Sequence, residues 1–268
     1  MVKIKISTFS LILFILSSNT AKSSQSEQNT LPNILIILVD DVGYGDPGFQ
    51  SERGIPTPHI DDLANRSIRF TQGYIPAAYC APSRAALMTG KHPVTIGHEF
   101  NSNIQQLGGL THEYPTLAKR LEAQGYNSIA IGKWHLGKEA GNYPVRRGFD
   151  EFFGTLNNSS FYQPRMFMDT RVSDEVIPVN DDSLYTTTAY ADRAVEWMMN
   201  KPSSPWFIYL AFNAQHVPIQ VPGEYLEKFS HVPDHLERIY AACFSALDDA
   251  IGKVMNALEE TGQANNTM

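Results

Sequence analysis

Cysteine is scarce in this chain: Cys80 and Cys243 are the two in 268 residues. That number makes no disulfide framework. Cys243 falls in an apolar helical pattern with Tyr240, Phe244, Leu247 and Ile251, where a buried thiol is ordinary packing. Pairing of the two cysteines is the alternative. Basic clusters are also missing, and the formal net charge is −7, which excludes nucleic acid as a partner. No low-complexity tract or internal repeat interrupts the chain. With 43% hydrophobic residues it can build one sizeable core. No apolar run reaches the length of a membrane span, so no stable membrane anchor is expected.

An apolar run, Phe9 to Leu16, follows the basic residues Lys3 and Lys5 and precedes small and polar residues up to Ala21. This layout predicts a signal peptide over 1–21. No cysteine follows it, which argues against a lipoprotein anchor. Residues 22–30 are polar and read as a flexible lead-in. The expected location is secreted or periplasmic, or lysosomal or extracellular in a eukaryotic host.

One stretch carries most of the chemistry. Cys80-Ala81-Pro82-Ser83-Arg84 opens a predicted helix that runs through Met88 and stops at Gly90. Proline is favoured in a first turn and glycine at a C-terminal stop. Cys80 then lies at the positive end of a helix dipole, with Arg84 one turn along. Free backbone N–H groups and a guanidinium make an anion site, and the same surroundings make a cysteine reactive. A half-buried cysteine at an ordinary helix start is the alternative.

Three further segments end predicted strands on polar side chains. Asn33 to Val39 reads N-I-L-I-I-L-V, a run without alternation that predicts a parallel strand buried on both faces. Asp40 and Asp41 follow it, where open α/β sheets place their ligands. Adjacent carboxylates repel, and a hard cation, calcium or magnesium, relieves the repulsion; an acidic turn is the alternative. Tyr126 to Ile131 predicts a second strand, ending in Gly132-Lys133-Trp134-His135-Leu136-Gly137. Strand alternation puts Lys133 and His135 on one side, a pairing suited to an anionic group, and the glycines allow close backbone approach to a ligand. Trp206 to Phe212 predicts a third strand, followed by Asn213-Ala214-Gln215-His216-Val217-Pro218. Helices are expected over Thr57–Ser67, Thr116–Gln124, Ser183–Asn200 and His235–Thr261. Ile68 to Ile75 reads as a strand or extended approach to Cys80. His92, His98 and His112 read as loop histidines, Asp150 as a loop-holding residue, and Asp248 and Asp249 as a solvated helix face. Alternating strands and helices predict an α/β fold, a mostly parallel mixed sheet with helices on both faces.

These segments together resemble the sulfatase family. C-A-P-S-R matches that family's C-x-P-S-R signature, G-K-W-H-L-G matches its second signature, and D-D-V-G-Y-G-D, G-F-D-E-F-F-G and A-Q-H-V-P match further stretches. The resemblance covers nearly all of residues 32 to 262 and implies an alkaline-phosphatase-like fold. It implies that a maturation enzyme, a formylglycine-generating or anaerobic sulfatase-maturating enzyme, oxidises Cys80 to Cα-formylglycine. Asp40, Asp41 and residue 80 then hold Ca2+, with Mg2+ as the alternative. A hydrated aldehyde attacks the sulfur of a sulfate ester, aryl or carbohydrate. Arg84 and Lys133 neutralise charge, Lys133 and His216 bind the sulfate, His216 helps protonate the leaving alcohol, and His135 takes the last proton. A serine contact near Asn157–Ser160 has no clear register and is not transferred. Substrate specificity is expected in loops such as Asn157 to Asp182. Phosphoester or phosphonate hydrolysis within the same superfamily is the rival reading.

The resemblance also implies ligands this chain lacks. Relatives add an S-D-N-G type strand end that completes the metal site, and a later lysine. No Asp-Asn dipeptide occurs here. Residues 31–268 are therefore expected to be the N-terminal part of a sulfatase catalytic domain, with an incomplete fragment as one reading and completion by another chain as another. Asn65 and Asn158 head N-x-[ST] patterns that matter only in a glycosylating host.

Overall fold

The computed structural model describes residues 31–51, 54–200 and 205–268. The expected signal peptide and lead-in lie outside these residues. In chain order the elements are β1 (Ile34–Leu38), α1 (Pro58–Arg66), α2 (Cys80–Thr89), α3 (Asn101–Gln106), α4 (Leu117–Glu122), β2 (Asn127–Lys133) and β3 (Glu151–Thr155). They continue with β4 (Phe167–Asp169), α5 (Thr186–Met199), β5 (Trp206–Ala211), α6 (Gly223–Lys228) and α7 (His235–Glu260).

The strands form one sheet in the order β1-β5-β2-β3-β4. β1, β5, β2 and β3 run parallel, and β4 returns antiparallel to β3. The fold class is α/β, mixed and mostly parallel, as expected. Alternate residues of β5 supply the two faces. Ile208 and Leu210 pack with Trp197 of α5 and Phe244 and Leu247 of α7. Phe207 and Tyr209 pack with Ala81, Ala85 and Met88 of α2. Helices thus cover both faces, and every parallel strand ends on the same edge, as open α/β sheets require.

Local chemistry explains the helix ends. Asp234 accepts from the backbone N–H groups of Leu236 and Glu237, both at 2.9 Å, and starts α7. Gly90 adopts a left-handed conformation after α2 and donates to the Ala86 carbonyl at 2.8 Å. Asp150 accepts from the Ser128 N–H at 2.7 Å and holds the entry to β3 against β2, so its loop-holding role stands.

Several expectations need correction. β1 is half-buried, because it lies outermost in the sheet. Beyond it, Met268 donates to the Asn33 carbonyl and accepts from Leu35, both at 2.9 Å, in a parallel bridge. Ile68 to Ile75 forms no strand, and Ile68, Phe70, Tyr74 and Ile75 are exposed. His98 lies in a loop, as expected, but is fully buried there. Gly132 has φ +99°, and a Cβ there would fall 1.9 Å from the Ala211 carbonyl oxygen. Its lack of a side chain admits the neighbouring strand rather than a ligand.

Asp248 is the clearest correction. It is 1% exposed, not on a solvated face. Its two oxygens accept from the N–H groups of His59 at 3.2 Å and Ile60 at 2.8 Å, at the start of α1. A carboxylate from the middle of α7 thus satisfies first-turn donors that Thr57 does not cap. We expect Asp248→Ala to lower the unfolding free energy by about 2 kcal/mol in urea titrations, and Asp248→Asn by less, since the amide keeps one acceptor.

Candidate active site

The site lies where β1, β2 and β5 end and α2 begins. Beyond β1 and β5 the backbone stays zipped: the Asp40 N–H donates to the Ala214 carbonyl at 2.8 Å, and Gln215 N–H to the Asp40 carbonyl at 2.5 Å. This pairing brings the residue after β1 beside the His216 loop. β2 ends at Lys133, whose side chain reaches across to Asp40.

Three charged side chains meet there, all essentially buried: Asp40 at 5% exposure, Lys133 at 1% and Arg84 at 2%. Lys133 Nζ donates to Asp40 Oδ2 in a very short ion pair. Arg84 Nη2 lies 3.5 Å from Asp40 Oδ1. Arg84 Nη1 donates to the Lys133 carbonyl at 2.5 Å and to Tyr209 Oη at 3.2 Å. Arg84 Nη2 itself is a buried donor with no hydrogen-bond partner. Two cations against one carboxylate leave one positive charge uncompensated inside the protein. Such a charge is costly unless an anion joins it.

The charges shift one another. Burial raises the Asp40 carboxyl, but Arg84 and Lys133 outweigh it and hold it below the usual range. Burial lowers the Lys133 ammonium, Arg84 lowers it further, and Asp40 only partly restores it. His135 falls to about 3 through burial, then through Lys133 and Arg84. Its imidazole is therefore neutral at physiological pH. β2 has already ended before His135, which has a left-handed backbone at φ +58°. Strand alternation is thus not what sets its direction, although it does sit in the field of Lys133.

Cys80 is the first residue of α2, part-exposed, and within electrostatic reach of Arg84 and Lys133. The helix start after Tyr79 agrees with the expectation. Asn101, which sequence reasoning passed over, grips this end. Its Nδ2 lies 3.5 Å from Cys80 Sγ, and its Oδ1 accepts from the Ala81 N–H at 3.0 Å. A short 3-10 helix over Pro93–Ile96 and its flanking turns join α2 to Asn101, so no regular spacing in the sequence signals the contact.

His216 Nδ1 lies 2.6 Å from the Val217 carbonyl, which makes Nδ1 the donor. Nε2 then accepts from Asn158 Nδ2 at 3.2 Å and lies 3.8 Å from Asp41 Oδ2. Asn158 was the unresolved register; the structure puts its amide, rather than a serine, against His216. Asp41 is exposed and left-handed at φ +56°.

An all-carboxylate pair suits a hard cation. Asp40 and Asp41 fit that donor chemistry, but two carboxylates fall short of the six to eight oxygens calcium takes. Asp40, Asp41 and Cys80 do not converge within ligand distance of one another. Among the described residues, the group that does is His59, Asp248 and Asp249, within 4.8 Å. There Asp248 is committed to α1 and Asp249 to Tyr225 Oη at 2.9 Å, so that group clamps helices together.

The three-layer α/β fold thus gathers a cation-rich cluster at its strand ends, the chemistry that suits an anion. The comparisons name the group: the chain belongs to the sulfatase family, whose pattern matches residues 32–268. It is similar to arylsulfatase J of Mus musculus, 34% identical over 94% of this chain and 42% of that protein. It is similar to N-acetylgalactosamine-6-sulfatase of Mus musculus, 30% identical over 88% of this chain and 48% of that protein. The crystal structure of Ps i-CgsB superposes with a TM-score of 0.79 and 32% identity, over 89% of this chain and 57% of that one. The chain thus spans about half the length of the curated relatives it matches. Among the described residues no helix is long and apolar enough to cross a membrane.

The neutral state of His135 gives a pH signature. Between its ordinary value of 6.5 and about 3, the unfolded chain binds a proton that the folded chain does not. Stability therefore rises with pH through that window and is lost as pH falls, by up to about 1.4 kcal/mol per pH unit. Asp40 acts in the same direction at lower pH. Denaturation of the His135→Gln variant between pH 4 and 7 should show a flatter slope than the unaltered protein. Equal slopes would contradict this assignment.

Proposed function

We propose that the site hydrolyses sulfate monoesters at residue 80, after oxidation of Cys80 to formylglycine. The observation that carries this reading is the buried, net-positive group of Arg84, Lys133 and Asp40 at the start of α2, in which Arg84 Nη2 faces Asp40 but makes no hydrogen bond. A sulfate monoester carries one negative charge, which matches the uncompensated one. Oxidised residue 80 supplies a hydrated aldehyde as nucleophile, and a hard cation held by Asp40 and Asp41 supplies further charge neutralisation. Calcium is the ion we favour, magnesium the alternative. Two carboxylates alone leave its coordination shell to be completed by further oxygen donors.

The chain's own residues divide the work. Arg84 Nη2 and Lys133 Nζ bind the sulfuryl oxygens and hold them beside residue 80, a preorganised field of the kind that lowers such barriers most. His216 binds the sulfate and helps protonate the leaving alcohol, with its ring held through Nδ1 by the Val217 carbonyl. His135 stays neutral and accepts the proton released from residue 80. At rest it is a weak base, chiefly because it is buried and further because Lys133 and Arg84 repel a second positive charge. A bound sulfate offsets the repulsion from both cations, the smaller part of that shift, and leaves the part due to burial. A maturation enzyme acting on Cys80 is the partner this chemistry requires. The Lys3, Lys5 and Phe9–Leu16 pattern supports export from the cytoplasm.

Similar proteins named for aryl and N-acetylgalactosamine sulfates leave both substrate types open, and Ps i-CgsB is also known in complex with k-i-k-neocarrahexaose, which favours carbohydrate. Assays of the whole matured protein on nitrophenyl sulfate and nitrophenyl phosphate test the reaction. We expect sulfate to be preferred, and Lys133→Ala to lower kcat/KM roughly 100-fold or more. A preference for phosphate would overturn the reading in favour of a phosphoester hydrolase.

A further inference from the structure

The loop from Leu156 to Met166, between β3 and β4, is built more tightly than its surface position needs. Two of its residues other than glycine are left-handed, Gln163 at φ +46° and Met166 at φ +53°. Each such conformation costs of the order of 1 kcal/mol and persists only where the surroundings impose it. Here they do. Ser159 Oγ accepts from the Arg165 N–H at 2.6 Å, and Ser160 Oγ donates to the Gln163 carbonyl at 3.3 Å. Gln220 Oε1 accepts from Phe161 N at 2.8 Å and Tyr162 N at 3.3 Å, fastening the loop to the segment after His216. Asn213 Nδ2 reaches the Ser159 carbonyl at 3.5 Å. The same loop supplies Asn158 to His216, so it forms the rim of the site described above.

What this frame presents is Arg165. The loop and its neighbours line a cleft of about 460 Å3 with Ser160, Tyr162, Gln163, Arg165, Asp182 and Gln220. Among the described residues no carboxylate lies within ion-pair distance of the Arg165 guanidinium. The one acid in the cleft, Asp182, accepts through Oδ1 from the Gln163 amide. Tyr162 is held against Tyr185, with ring centroids 5.1 Å apart. Amides and hydroxyls suit the hydroxyl groups of a sugar, a fixed aromatic ring suits its apolar face, and a free guanidinium suits an acidic substituent. A single aryl ring would use none of the polar groups.

We propose that this cleft is a carbohydrate subsite, in which Arg165 binds the sulfate or carboxylate of the sugar next to the one being cleaved. The inference rests on the sulfate-ester reading above and deepens it: the substrate is a polyanionic sulfated oligosaccharide.

Two measurements test it with the whole matured protein. The first is the ratio of kcat/KM for a disulfated disaccharide to that for nitrophenyl sulfate. Arg165→Ala and Arg165→Gln should each lower this ratio about tenfold, the loss of one charge-assisted contact at a partly exposed site. A ratio unchanged within about twofold, in both variants, would overturn the proposal. The second is calorimetric binding of the disulfated disaccharide to the Cys80→Ala protein, which cannot mature. Adding Arg165→Ala should raise Kd about tenfold, and an equal Kd would overturn the proposal. If the unaltered matured protein cleaves no sulfate ester, the reaction reading fails, while the binding measurement still decides the subsite.

Discussion

The ion pair between Lys133 and Asp40 is the constraint on which the site depends. It joins the ends of β1 and β2 across β5, and it can do so only because the three strands run parallel in that order. Arg84 adds a second cation from α2, the helix on the other side of the gap. Each ion taken singly would pay a large desolvation cost at this depth. Together they are tolerable but unbalanced, and the imbalance is positive. The buried Arg84 Nη2 faces Asp40 without a hydrogen bond, and an anion could supply one.

That same imbalance sets the behaviour of the neighbours. It holds the Asp40 carboxyl ionised against the effect of burial, and it adds to the burial that keeps His135 neutral. The carboxyl thus sits in the state that burial alone would oppose, and the imidazole in the state that burial favours. Residue 80 is held at the edge of this field by Asn101, through the thiol and the following N–H.

Much of this was legible in the chain. The apolar runs before Asp40, Lys133 and His216 announced three strands, and strand ends are where an α/β sheet gathers its ligands. The C-A-P-S-R helix start put Arg84 one turn from Cys80, as found. What escaped were contacts made at long range by common polar residues. Nothing marks Asn101 or Asn158 as site residues until the loops fold over, and Asp248 looks like any acid on a helix until α1 is seen to start above it. The direction of His135 escaped too, because it follows from a left-handed backbone past the end of β2. β1 reads as fully buried from its composition, but its outer edge meets only Asn266 to Met268 among the described residues. Composition records how apolar a strand is and not which neighbours are present to cover it.

The central claim is that this charge cluster serves an oxidised residue 80 and not a cysteine thiol. Mass spectrometry of the tryptic peptide containing residue 80, from protein made in its native host, tests that claim most directly. The account predicts a peptide carrying formylglycine in place of cysteine, with an aldehyde that reacts with a hydrazide tag. A peptide with unmodified Cys80 throughout would contradict it.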